Sequence, residues 1–223
     1  MIDRPRYDGH LELPAVYPIL DTALLARLDL PLVDCAEALA EGGARILQIR
    51  HKGLWTREDY HAATELASYC RAAGILLVVN DRADIARMLG AGVHIGQDDL
   101  PPSESRVILG DALIGFSTHN EAQLRASVSE PIDYVALGPI FKTGSKENPD
   151  PVVGVAELKR LRGMTTRPLV AIGGITLEAA AEVWQAGANS IALISDLFRD
   201  PAKSAIRARM EAWLRQSAVA LVP

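Results

Sequence analysis

A chain of 223 residues that is 49% hydrophobic but only 5% aromatic must build its core from Ala, Val, Ile and Leu, and its length suits one barrel-sized domain better than two small ones. Its formal net charge of −5 excludes the broad basic field that nucleic-acid binding requires, while leaving room for a local basic pocket. No apolar run approaches the ~20 residues of a membrane span, and residues 1–13 lack the apolar core of a secretory signal, so no membrane association and a cytoplasmic location are expected.

From the N-terminus, residues 1–14 form an arm without a periodic pattern, and a barrel is expected over 15–223. The first strand-like run, 16–21, is followed by a helical pattern at 32–41 that turns Glu37 and Glu41 outward. The run 45–50 leads to a helix over 57–73, with Leu66, Tyr69 and Cys70 at helical spacing. Then follow strand 76–81, helix 82–89, strand 92–97 and a short link around 101–110 whose helix is the weakest pattern. Strand 113–118 precedes helix 121–127, strand 134–140 precedes helix 155–161, and strand 168–173 precedes helix 177–186. The chain closes with strand 190–195 and helix 202–218.

Eight strands alternating with helices call for a parallel sheet, and eight units in this length fit a closed (β/α)8 TIM barrel. The competing architecture is an open doubly wound sheet. Its G-x-G-x-x-G turn after the first strand is missing, with Asp21 and Thr22 in its place. Gly-Ala pairs at 43–44, 90–91 and 187–188 each end a helix just before a strand, which supports repetition of one unit. Cys35 and Cys70 lie in helical runs with no C-x-x-C and no Cys/His cluster, so they read as free thiols.

A barrel of this type forms its active site at the C-terminal ends of the strands. The second strand ends with Gln48, Arg50 and Lys52, which share one face because they are two apart. A solvated strand end explains any one of them; three in phase point to an anion site. The third and fourth strands end with Asn80-Asp81 and with Asp98-Asp99. Either acid could cap the following helix. Together, Asp81 and Asp99 put two hard oxygen ligands on neighbouring strands beside a basic cluster, which suits Mg2+ bridging to a polyphosphate. No His or Cys shares that constellation at ligand spacing, so a transition-metal site is not indicated.

The fifth strand ends with Ser117, Thr118, His119 and Asn120, where helix capping is a strong competing explanation. Residues 142–151 form a long loop with hydroxyls, a glycine and two lysines, of the kind that closes over an anion. Gly173-Gly174 ends the seventh strand and Ile194-Ser195 the eighth, where barrels often bind a phosphate through backbone N–H groups. The inventory therefore implies two anion sites: a cationic one for a diphosphate and a backbone-lined one for a monophosphate.

In order along the chain, LQIRHK at 47–52, VNDRADIA at 79–86, GVHIGQDD at 92–99, GFSTH at 115–119, DYVALGPIF at 133–141, TGSK at 143–146, AIGGI at 171–175 and IS at 194–195 resemble the motifs of thiamine phosphate synthases. The resemblance covers residues 17–195. It implies an alkyl- or aryl-transferring enzyme that joins hydroxymethylpyrimidine diphosphate to a hydroxyethylthiazole phosphate, releasing pyrophosphate through a dissociative pyrimidine cation. On that basis Gln48, Ile49, Arg50, His51, Lys52, Asn80, Ser117 and Lys146 would hold the pyrimidine diphosphate, with Arg50, Lys52, Ser117 and Lys146 catalytic. Asp81 and Asp99 would bind Mg2+, and Thr143, Gly144, Ser145, Gly174, Ile194 and Ser195 would hold the thiazole phosphate. The partners implied are these two small molecules; a homo-oligomer is compatible with the sequence.

The chain departs from the family at His51, where Glu is usual, at Lys142, where Pro is common, and at Ser145, where Thr is common. Position 51 should point away from the face shared by Gln48, Arg50 and Lys52. The closest alternative is a thiazole tautomerase with His119 as its acid–base group, but such an enzyme has no use for Asp81, Asp99, Lys52 and Lys146 together. A non-catalytic phosphate-ligand sensor on the same fold is a second alternative.

Overall fold

The computed structural model describes residues 11–143 and 150–221. The strands are β1 Val16–Asp21, β2 Ile46–Arg50, β3 Leu76–Asn80, β4 Gly92–Ile95, β5 Ile114–Thr118, β6 Tyr134–Leu137, β7 Leu169–Ile172 and β8 Ser190–Leu193. They pair in parallel in sequence order, and β8 closes on β1, which makes the expected (β/α)8 barrel. The helices are α1 Thr22–Arg27, α2 Leu32–Glu41, α3 Arg57–Ala73, α4 Ala83–Leu89, α5 Pro102–Leu109, α6 Glu121–Ala126, α7 Val155–Arg162, α8 Ala180–Gln185 and α9 Lys203–Ala220.

Local chemistry sets several of these boundaries. The α3 helix starts where the Thr56 hydroxyl accepts the Asp59 N–H at 3.2 Å and the Asp59 carboxylate accepts the Thr56 N–H at 2.9 Å, a capping box. It stops at Gly74, which adopts a left-handed φ of 67°. The weak pattern around 101–110 does form α5, helped by a proline in its first turn. One helix was not expected: α1 is a six-residue helix capped by Asp21, whose carboxylate accepts the Leu24 N–H at 2.9 Å. The observed strands β4, β6, β7 and β8 are shorter than the expected runs.

The strands alternate between two apolar layers. Tyr17, Ile19, Ile46, Val78, Tyr134, Ala136, Val170 and Ala192 fill the barrel interior. Leu47, Ile49, Val79, Val93, Leu137 and Leu193 face outward and pack under the helices. Truncating one of these fully buried leucines to alanine would cost about 2–5 kcal/mol. Leu11 and Leu13, just before β1, join the interior layer and close the N-terminal end of the barrel; residues 1–10 of the expected arm lie outside the described residues. Trp184 of α8 and Trp213 of α9 meet edge-on at 6.1 Å, and the Trp184 indole donates to the Ala15 carbonyl at 3.3 Å. Cys35 and Cys70 are buried free thiols. Among the described residues, no helix is long and apolar enough to cross a membrane.

Candidate active site

The register brings the ends of the first four strands side by side: Asp21 pairs with Arg50 across β1 and β2, and Asn80 with His94 across β3 and β4. The Arg50 guanidinium is ion-paired with Asp21, the same carboxylate that caps α1. Lys52 lies two residues beyond β2 and places its ammonium 2.5 Å from Asp81. Gln48, Arg50 and Lys52 thus gather at one mouth as expected. Ile49 does not share their face. Its side chain is 2% exposed and lies in the outer apolar layer, which leaves only its backbone to the mouth. His51 also turns away: its Nδ1 lies 2.9 Å from the Thr22 hydroxyl, and its ring meets Trp55 edge-on at 5.1 Å.

Asp81 is one of two described non-glycine residues at positive φ, at 65°. Its N–H donates to the His94 carbonyl at 2.8 Å, which holds this turn against β4. It does not cap α4. That helix begins after Arg82 with no side-chain cap, and Arg82 grips Asp84 instead. Asp99 folds back on its own turn, accepting the Gly96 N–H at 2.6 Å, and its carboxylate comes within hydrogen-bonding reach of Asp81. Burial pushes the Asp81 carboxyl above the usual carboxylate range, Lys52 pulls it back, and the neighbouring Asp99 adds to the rise. Asn80 is 6% exposed, and its amide nitrogen has no hydrogen-bond partner among the described residues. A buried donor left open beside two cations is costly unless a ligand accepts from it.

Beneath the mouth runs a hydrogen-bonded chain that the sequence reading missed. The Gln48 amide donates to the Tyr17 hydroxyl at 3.2 Å, Tyr17 meets the Tyr134 hydroxyl at 3.0 Å, and Tyr134 meets His94 Nδ1 at 3.0 Å. The other ring nitrogen, Nε2, is 2.8 Å from the Ser117 hydroxyl. The Gln48 amide nitrogen can only donate, and each tyrosine hydroxyl can both donate and accept, so the chain links Gln48 to the His94 ring without a break. Both ring nitrogens of His94 are thereby engaged, Nδ1 with Tyr134 and Nε2 with Ser117, which fixes the plane of the imidazole and holds the Ser117 hydroxyl at the mouth. Burial pushes both phenols well above their ordinary range, so they remain donors. Gly115 makes room for this arrangement, since a Cβ there would fall inside the Tyr134 ring. Gln97 completes the edge by donating to the Ser117 carbonyl at 2.6 Å.

Across the barrel the ends of β7 and β8 are built from backbone. Gly173 and Gly174 have φ of 101° and 65°. The close approach they permit is used by the loop after β6. A Cβ on Gly174 would lie 2.5 Å from the Lys142 carbonyl and 2.9 Å from that of Phe141. Phe141 N–H donates to the Gly173 carbonyl, which ties the outgoing arm of the loop to this turn, and Gly154 N–H donates to the Ile140 carbonyl, which ties the returning arm to the outgoing one. Thr143 leads into that loop; Gly144, Ser145 and Lys146 lie outside the described residues. His119 supports the loop from below, with Nδ1 2.7 Å from the Gly138 carbonyl and 3.5 Å from Asp150. After β8, Ile194 is half-buried and Ser195 exposed, and Ser195–Phe198 forms a 3-10 turn.

The missed residues left partial signals. Asp21 and His94 both end inward-facing strand positions, where the barrel rule directs attention, whereas Tyr17 and Tyr134 look like ordinary core. At the opposite end of the barrel a cavity of about 280 Å3 is lined by Val128, Gly163, Met164, Thr165, Thr166 and Arg167. Its guanidinium is engaged with the carbonyls of Ser127, Val128 and Glu130, so it is part of the scaffold.

Fold and mouth define a class first: (β/α)8 barrels with a charged mouth at the C-terminal ends of the strands. Comparison with known proteins narrows it. The family model described as thiamine monophosphate synthase matches residues 16–197. The thiamine-phosphate synthase of Koribacter versatilis strain Ellin345 is 44% identical over 199 residues, covering 87% of this chain and 94% of that one. That of Methanoculleus marisnigri is 45% identical over 164 residues, 73% of this chain and 78% of its own. The solved structure of thiamine phosphate pyrophosphorylase from Pyrococcus furiosus matches with a TM-score of 0.81 at 29% identity, over 93% of this chain and 98% of that one. The chain belongs to the thiamine monophosphate synthase family. It is an enzyme of the transferase class, and the tautomerase alternative finds no support in these relatives.

Proposed function

We propose that this enzyme condenses hydroxymethylpyrimidine diphosphate with hydroxyethylthiazole phosphate to give thiamine phosphate and pyrophosphate, with Mg2+ as cofactor. The observation that carries the reading is the mouth itself: Arg50 and Lys52 stand at and just beyond the end of β2, beside the neighbouring carboxylates Asp81 and Asp99, with the open amide of Asn80 between β2 and β4. The family and its synthase-named relatives support the same reaction.

The donor set fits a hard divalent cation. Two neighbouring carboxylates repel each other unless a proton or a cation stands between them; burial raises the Asp81 carboxyl, and Asp99 adds to that rise. Among the described residues no group of three or more His, Cys, Asp or Glu could hold a metal. The remaining ligands would be diphosphate oxygens and water, as Mg2+ prefers. When bound, Mg2+ would neutralise charge on the departing diphosphate.

Arg50 and Lys52 would exchange their carboxylate partners for diphosphate oxygens, Asn80 would donate its free N–H, and Ser117, held by His94, would present its hydroxyl to the substrate. The scissile C–O bond breaks with its electron pair going to pyrophosphate, and the pyrimidine amino group stabilises the exocyclic carbon left behind. The thiazole nitrogen lone pair then forms the C–N bond, and no proton need be removed. Gln48 and its tyrosine chain would orient the pyrimidine. Thr143, Gly174, Ile194 and Ser195, with Gly144 and Ser145, would hold the thiazole phosphate in line, and Lys146 would assist the leaving group. Two phosphorylated substrates that do not cross membranes suit a cytoplasmic location.

The test is a coupling assay with both substrates, with and without Mg2+. Thiamine phosphate and pyrophosphate should form in equal amounts, and only with metal. Isomerisation of a thiazole carboxylate phosphate without pyrophosphate release would overturn the reading.

A further inference from the structure

The acceptor turn after β8 is held from behind by a carboxylate that the proposed reaction does not use. Asp196, the second residue of the 3-10 turn Ser195–Phe198, is 8% exposed. Its oxygens take Arg209 Nε at 2.9 Å, Arg209 Nη2 at 2.8 Å, Trp213 Nε1 at 2.6 Å and Arg199 Nη2 at 2.6 Å. Arg209 and Trp213 are four apart and so lie on one face of α9, past its first turn. Asp196 therefore does not cap that helix. It clamps the strand-end turn onto the helix flank.

Trp213 is fully buried and braced by Trp184, so the clamp's base is rigid. A group that binds phosphate through backbone N–H groups has no long side chain to adjust, and its affinity depends on where the backbone is held.

We propose that Asp196 is a positioning residue for the acceptor phosphate: its carboxylate, gripped by Arg209, Trp213 and Arg199, fixes the Ile194–Ser195 backbone in the geometry that binds the thiazole phosphate. This rests on the acceptor assignment made above. It makes a specific kinetic demand. Loosening the turn should weaken acceptor binding, while the donor mouth and the chemical step stay intact.

The experiment is steady-state kinetics of Asp196→Asn with each substrate varied in turn. The variant keeps the volume and removes the charge. The acceptor KM should rise about tenfold, with kcat at saturating acceptor and the donor KM within about twofold of wild type. A structural role alone would lower kcat through loss of active protein, or shift both KM values alike, and either result overturns the proposal. So does an unchanged acceptor KM. Should Asp196→Asn fail to give a folded barrel by circular dichroism, Trp213→Phe and Arg209→Lys take its place. Each removes part of the grip, and each should raise the acceptor KM about threefold without touching the donor KM; an unchanged acceptor KM in both overturns the proposal. A wild-type enzyme that makes no thiamine phosphate removes the functional reading and this inference together, whereas an active wild type with an indifferent variant removes the inference alone.

Discussion

The two halves of the barrel mouth are made of different material. On the β2–β4 side, charge is delivered by side chains: Arg50, Lys52, Asp81 and Asp99, each already engaged by another. On the β7–β8 side, shape is delivered by backbone: the Gly173-Gly174 turn, the β6 loop seated on it and the Ile194–Ser195 turn. A diphosphate that must leave needs strong, mobile charge. A monophosphate that only anchors its substrate needs a fixed cradle. The contrast predicts that damage on the first side is read in turnover and damage on the second in affinity.

The largest effect should come from Lys52→Ala. Removing one charge that would stabilise the leaving diphosphate should lower kcat by about a hundredfold to a thousandfold, with little change in acceptor KM. A tenfold smaller loss in single-turnover rate would break the assignment of Lys52 to the leaving group. Gly174→Ala strikes the other half. The new Cβ at φ 65° would collide with the Lys142 carbonyl, at a cost of about 1–3 kcal/mol of backbone strain. The acceptor KM should rise about tenfold while the donor KM holds. A fall in kcat with unchanged acceptor KM would erase the contrast between the halves.

Smaller effects sharpen it. Tyr134→Phe removes the hydroxyl that engages His94 Nδ1, so the imidazole that holds Ser117 loses its anchor. At about 1 kcal/mol for one net hydrogen bond, kcat should fall about fivefold, and the melting temperature should fall by about 2–4 °C. A variant that keeps full turnover would show that the chain is only packing. The gentlest prediction concerns pH. Asp81 has a folded value above its unfolded one, from burial and from Asp99, so its contribution stabilises the metal-free protein below the ordinary aspartate range and is lost as pH rises through the raised value. Thermal midpoints of metal-free wild type should decline across that window, and Asp99→Asn should flatten the decline; parallel curves for the two proteins would contradict it.

Much of this was legible in the sequence, for identifiable reasons. The ranges of α2 and α3 match because both helices carry a continuous amphipathic pattern and end at glycine. The strand-end rule found Arg50, Lys52, Asp81 and Asp99 because charged residues stand out against apolar runs. What the sequence could not convey is which charge faces which. The Arg50–Asp21 contact depends on the register of β1 against β2, 29 residues away, and Tyr17 and Tyr134 are 117 apart. The sequence shows a glycine pair at the end of the seventh strand but not that the Lys142 and Phe141 carbonyls approach Gly174 closely, since that contact comes from the loop after β6. Helix α1 escaped notice because six residues are too few to show a period.

The pairing of Arg50 with Asp21 and of Lys52 with Asp81 has a further consequence once Asp99 is counted. Among the described residues at this mouth, two positive groups face three negative ones, so the resting rim is not an open trap for any passing anion. Chloride or a lone phosphate would have to compete with internal counter-ions already in contact. A diphosphate arriving with its own divalent cation brings both partners for the exchange, so the rim can discriminate by valence before any shape is tested.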